Sequence, residues 1–341
     1  MRFLALALGL VSLVLTGAPL RAQQPAWPDA IASGSPRLAL FALMREAPPG
    51  SEEFTAGLLV ANGFAPDGGA DLSWTLSPGL VWDDNVNGGI TASSLKLFGL
   101  TFSIDAASRA KAGLTPTLGV GGVLRKTVAP GMLVQGFALA NLGYSPQHRL
   151  GRADLTLGLC AANHLGGDWF ADLCGRQTRR LRDLGNATEQ SLSASVERLF
   201  AVGTSLHSLS LKPQLDLFGT AQRGQIELGW IGVIPGVGTL NASLQRGQIA
   251  EGYSAVTHAA RIGLKRQVWG ASTGVQLAVE QAEGQSYLGI PRRDQVYSVL
   301  LSRQLARYGE AQVGYRLTES SIEGFGGGAV IVGFDFRGWD G

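Results

Sequence analysis

Asp71-Leu72-Ser73-Trp74-Thr75-Leu76-Ser77-Pro78-Gly79-Leu80-Val81-Trp82 decides the fold. Its even positions are Leu, Trp, Leu, Pro, Leu and Trp; its odd positions are Asp, Ser, Thr, Ser, Gly and Val. Strict period two is the signature of a strand with one apolar face. The run is also long. Strands of soluble proteins have about 5–6 residues, whereas a strand that crosses a bilayer in a barrel needs about 9–11. Trp74 and Trp82 lie near the ends of the apolar face, where interfacial aromatic girdles sit.

The pattern recurs along the chain. Phe98, Leu100, Phe102 and Ile104 alternate with Leu97, Gly99, Thr101 and Ser103; Leu114, Pro116, Leu118 and Val120 alternate with Thr and Gly. Ile226, Leu228 and Trp230 do the same, as do Val256 to Leu264, Val313 to Leu317 and Val330 to Phe336. Turn signals separate such runs at 129–131, 141–146, 183–186, 235–236, 281–285 and 320–328. After residue 22 no apolar run reaches the roughly 18 residues of a helical span. With 45% hydrophobic and 16% charged residues, the spanning structure left to an exported chain is a closed barrel. The expectation is an all-β, antiparallel transmembrane barrel over 71–341, of about 14 strands within a range of roughly 12–16. Arg261, Lys265 and Arg316 fall in the polar phase of their runs and are expected to face the lumen.

Upstream, Arg2, the apolar run Phe3–Leu15 and the small-residue stretch Thr16–Ala22 have the form of a secretory signal cut after Ala22. Residues 23–70 read as a periplasmic helical segment. Ser35-Pro36 starts one helix with Leu40, Phe41, Leu43 and Met44 on its apolar face, and Pro48-Pro49-Gly50 ends it. Ser51 caps a second, with Glu52 and Glu53 in its first turn, Phe54, Leu58 and Leu59 on its face and Gly63 at its stop.

Removing 1–22 takes Arg2 and Arg21 from the 28 basic residues, leaving 26 against 26 acidic ones. A neutral chain excludes the basic excess that nucleic-acid binding needs. Cys160 and Cys174 enclose a Gly-, Asn- and Asp-rich segment; in an oxidising compartment they are expected to pair and to pin one extracellular loop. Gly270-Ala271-Ser272-Thr273-Gly274 matches a nucleophile elbow, but both flanks read as strand where the elbow needs a helix. His148, His164, His207 and His258 are scattered, and no phosphate, dinucleotide or metal motif is present. No enzyme activity, cofactor or metal is expected.

One motif points to a family. Trp82-Asp83-Asp84-Asn85-Val86-Asn87, directly after the first strand, resembles the turn of the C-terminal barrel domain of surface lipoprotein assembly modifiers. Arg293–Ser298, Gly314-Tyr315-Arg316 and Val332-Gly333-Phe334 are similar to that domain's closing strands. The resemblance covers about residues 70–336 and places Asp84, Asn85, Val86 and Asn87 in the family-like turn. It implies an outer-membrane barrel of a Gram-negative bacterium, embedded in outer-membrane lipid, that assists translocation or surface display of a lipoprotein cargo. Two departures stand out: the chain has room for about one helix pair where the family carries a tetratricopeptide array, and it runs on from Phe336 to Gly341. The alternative, from the polar lumen face, is a general diffusion porin for small polar solutes.

Overall fold

The computed structural model describes residues 25–46, 48–65, 68–287, 289–305, 309–336 and 339–340. The expected signal, with its cut after Ala22, lies outside them.

The wall of the molecule is one antiparallel sheet closed on itself. It runs β1 (Ala70–Asp83), β4 (Gly113–Ala129), β5 (Met132–Ser145), β6 (Leu150–Gly166), β7 (Trp169–Leu181), β8 (Ala187–Val202), β9 (Ser205–Phe218), β10 (Ala221–Ile234), β11 (Gly238–Gly247), β12 (Ala255–Val268), β13 (Ala271–Tyr287), β14 (Ile290–Gln304), β15 (Gly309–Ser320) and β16 (Gly327–Phe336). Each strand pairs with its neighbour in the sequence of the wall, and β16 closes on β1 through Gly79–Asp335, Leu80–Phe334 and Val81–Gly333. The wall has 14 strands. A two-residue strand, β17 (Trp339–Asp340), continues the closing edge beside Thr75 and Leu76 of β1.

Alternation fixes which side chain meets which medium. Leu118, Leu124, Leu157, Leu159, Leu192 and Leu244 share the outward face and are exposed, Leu159 at 61% and Leu244 at 60%. An apolar band of this kind is stable only against hydrocarbon. Phe200, His207 and Trp230 stack on the same face, with ring centroids 5.1 and 5.9 Å apart, near the end of the barrel that holds the short turns. At that end single pairs of residues join β4 to β5, β6 to β7, β8 to β9 and β12 to β13. The pair Trp269-Gly270 has φ of 50° and 74°, a primed turn whose twist matches the hairpin. The opposite end carries the long connections, 84–112 above all. An even-stranded closed barrel with short turns at one end, long loops at the other and an apolar belt is the bacterial outer-membrane architecture. The chain is therefore an outer-membrane barrel, with its short-turn end periplasmic.

This assignment makes a stability prediction. Leu159 faces outward midway along β6, across from Gly136 and Gly175. Leu159→Arg should cost about 2–4 kcal/mol, whereas Ser191→Arg, on the inward face of β8, should cost under about 1 kcal/mol. Urea unfolding in lipid vesicles measures both; equal costs would contradict the facing.

Several readings need correction. The run from Phe98 to Ile104 is no wall strand: β2 (Ser94–Leu97) and β3 (Leu100–Ser103) form a small separate hairpin inside the 84–112 connection. Four residues a strand are too few to span. Residues 281–285 do not turn but lie within β13, whose register shifts between Glu283 and Ser286. Strand β5 runs on to Ser145, so the turn expected from Asn141 begins later.

The N-terminal segment has three helices rather than two: α1 (Trp27–Ala32), α2 (Pro36–Glu46) and α3 (Glu52–Ala61). Ser35 caps α2 as expected, its Oγ accepting from Leu38 N at 3.2 Å. Ser51 does not cap α3; its hydroxyl donates instead to Pro48 O at 2.7 Å. The apolar face of α2 is Leu38, Ala39, Ala42 and Leu43, and Met44 is 65% exposed. Helix α3 buries no residue fully, so Phe54, Leu58 and Leu59 do not form a core face.

Candidate functional site

Near the periplasmic end, the inward face of the wall breaks the alternation rule. Phe170 of β7, Leu199 of β8, Leu206 of β9 and Val233 of β10 all point into the barrel, where water would be expected. All four are buried, because Ala26 at the start of α1, Ala30 within it, and Leu38 and Ala42 of α2 pack onto them. The first two helices are seated inside the barrel mouth, rather than hanging below it as a free periplasmic hairpin. Burying this patch supplies the driving force; each large side chain taken from water contributes about 1.5–3 kcal/mol.

Polar contacts fix the seat. The Arg37 guanidinium forks between two inward carboxylates. It donates through both nitrogens to Asp172 and through Nη1 to Glu197 at 2.8 Å. Ser195 Oγ donates to Asp172 at 3.1 Å and Ser208 Oγ to Glu197 at 2.5 Å, so the two acids are positioned by the wall itself. The guanidinium also lies over the Phe170 ring at 4.6 Å. Burial works against the Arg37 charge, but its hydrogen bonds to Asp172 and Glu197 prevail, and its pKa is raised. On α1, the Asp29 carbonyl accepts from Thr239 Oγ1 of β11 at 2.9 Å. Burial raises the pKa of the Asp29 carboxyl, with the Arg266 charge pulling it back down. Helix α3 leaves the mouth beside the β4–β5 turn, where Gly131 N donates to Gly63 O at 2.8 Å.

The disulfide Cys160–Cys174 is formed, but not in an extracellular loop. The two cysteines face each other across β6 and β7 on the inward side. The segment between them is the periplasmic end of that hairpin, closed by Gly167-Asp168. Together with Arg37, Asp172, His164 and Asn62, the cysteines line a crevice of about 290 Å³ between helices and wall.

At the extracellular mouth the 84–112 connection folds over the barrel. Asn87 is wholly buried; its amide donates to Arg109 O at 2.8 Å and its carbonyl oxygen accepts from Lys111 N at 2.9 Å. The Asn85 side chain bonds both ways to Gly89, donating to its carbonyl oxygen and accepting from its N–H at 2.8 Å each, and the Asn85 backbone N–H donates to Asp83 Oδ1 at 2.9 Å. Val86 is fully buried. The family-like turn Asp84–Asn87 thus shapes a loop. Farther along, Ala92 and Leu95 pack with Ile322 and Phe325 of the β15–β16 loop.

The three expected luminal cations are all on inward positions but differ in setting. Arg261 is paired, to Glu280 at 2.6 Å and Gln245 at 3.2 Å. Lys265 lies between Thr239 and Gly274 in the ladder. Arg316 ties the wall to the loop through Asp84 at 2.6 Å. Gly270–Gly274 is a turn running straight into β13, not an elbow, and the Ser272 hydroxyl is buried inside that strand's packing.

No family model matches the chain, and no curated protein does. Among solved structures, OccK1 (OpdK) of Pseudomonas aeruginosa is similar at 11% identity and a TM-score of 0.44, covering 82% of this chain and 100% of that one. An anion-selective porin from Comamonas acidovorans is similar at 10% identity and a TM-score of 0.41, covering 80% of this chain and 100% of that one. OccAB1 of Acinetobacter baumannii follows at 8% identity and a TM-score of 0.40, covering 82% of this chain and 98% of that one. These values are too low to carry an activity across; the lumen has to be read from its own residues.

Proposed function

We propose that the chain is a diffusion channel for small polar solutes whose periplasmic mouth is narrowed by its own N-terminal helices. The observation that carries this is the asymmetry of the inner wall. The helices' apolar seat and its bonds fall on β7–β11. Across the lumen, the mid-height inward positions of β1 and β4 include Thr75, Ser77, Gly79, Thr117, Gly119 and Gly121, and those of β15–β16 include Gln312, Gly314 and Gly333. Small hydroxyl and glycine positions on that side leave room for water and offer solutes hydrogen bonds without bulk. A barrel of this size can hold a narrow aqueous path.

Planar-bilayer recording of the purified full chain tests it. Stable, small conductance steps are expected, with liposome swelling in small sugars and amino acids; a silent bilayer and no swelling would reject the reading. Assistance to a surface lipoprotein stands as the second reading, on the Trp82–Asn87 resemblance. Its test is protease accessibility of a co-expressed lipoprotein with and without this chain.

A further inference from the structure

The outer rim of the wall has a notch at β11. That strand has 10 residues, between β10 and β12 with 14 each. It stops at Gly247, and the rim dips there into an open groove of about 670 Å³ on the barrel's flank. The groove's outward side chains are of two kinds. Arg246 stands directly across from His258 in the β11–β12 ladder, both exposed. Below and beside them lie Ile226, Leu244 and Ile262, at 45%, 60% and 54% exposure. Gly224 and Gly247 keep the floor low, and Gln248 is spent on Gly224 N at 2.9 Å.

Most inward-facing arginines of the extracellular end are neutralised within the chain. Arg152, Arg182, Arg223, Arg292 and Arg316 each hold a carboxylate of this chain. Among the described residues Arg246 has no such partner. An outward cation is costly next to hydrocarbon and tolerable only near the interface, where an anion can reach it. Glu283, the acid on the groove's edge, is already engaged by Arg293 at 3.0 Å and by the Gln281 amide. Any anion that Arg246 holds therefore comes from outside the chain.

We infer that the β11 notch binds a phosphate-bearing lipid of the outer leaflet, its phosphate between Arg246 and His258 and an acyl chain along Leu244 and Ile226. The complementarity is amphipathic: a guanidinium and an imidazole at headgroup height and an apolar track running down toward the midplane. The inference rests on the membrane orientation of the barrel and is independent of whether the lumen conducts.

The test uses the full chain in detergent, native mass spectrometry and two probes, bisphosphorylated lipid A and the same lipid with both phosphates removed. The native protein should retain the phosphorylated probe at least about ten-fold better, as one charge-assisted bond allows. Arg246→Gln/His258→Gln should abolish that preference while still binding acyl chains weakly. Arg198→Gln, an outward cation at the periplasmic end that lies over Trp169 at 5.2 Å, should leave it intact. Equal retention of both probes by the native protein, or an unchanged preference in the double variant, would overturn the assignment. Heat-shifted gel mobility confirms that each variant is folded before it is scored.

Discussion

Arg37→Glu is expected to turn brief, small openings into long, wide ones. The native guanidinium answers two carboxylates whose positions the wall fixes, and all three side chains are largely buried, at 15% to 24% exposure. Substitution by glutamate leaves three negative groups in one pocket. Breaking a buried pair costs about 3–5 kcal/mol, which moves a seated-to-released ratio by roughly two to four decades. The apolar contacts of Leu38 and Ala42 remain, so the helices should be released often rather than lost. Arg37→Lys keeps the charge but not the fork and should fall between the two. Single-channel recording reads open time and step size directly. Identical traces for native protein and Arg37→Glu would mean that the helices do not govern the passage.

The second large effect concerns stability. Asp216 and Arg223 face each other inside the wall at 1% and 6% side-chain exposure, joined at 3.0 Å. Gln214 donates to Asp216 at 2.6 Å, and Arg223 also donates to Val256 O at 2.9 Å and Gln225 at 2.5 Å. Asp216→Leu strands a buried guanidinium and should cost about 3–5 kcal/mol. The pair Asp216→Leu/Arg223→Met removes both charges and should recover most of the loss. Urea unfolding in lipid vesicles gives both numbers, and a single variant within about 1 kcal/mol of native would show that the pair carries little.

The barrel was legible because one face of each wall strand must be apolar, and Asp71–Trp82 shows that with no interruption. The helices' seat was not, yet a trace of it is written in the chain. Arg198-Leu199-Phe200-Ala201-Val202 and Trp230-Ile231-Gly232-Val233-Ile234 lose the alternation and read apolar on both faces. A strand end that is greasy inside as well as outside announces that something covers its inner side. The partner helix could not be matched to it from sequence, since Arg37 and Asp172 are 135 residues apart. Cys160 and Cys174 paired as expected but were misplaced, because a Gly-rich turn looks the same at either end of a hairpin. The Phe98–Ile104 run failed for another reason: period two reports a strand with two unlike faces, and a surface hairpin that packs on Ile322 and Phe325 satisfies that as well as a wall strand does.

The seat of the first two helices also sets an order of events. Asp29 meets Thr239 across 210 positions and Arg37 meets Glu197 across 160, so the earliest residues to emerge have nowhere to dock until the eleventh strand of the count is in place. Contacts this distant form late and slowly. The freshly delivered polypeptide must carry its leading helices uncommitted through insertion, and until they settle the inner patch of Phe170, Leu199, Leu206 and Val233 is left bare to water.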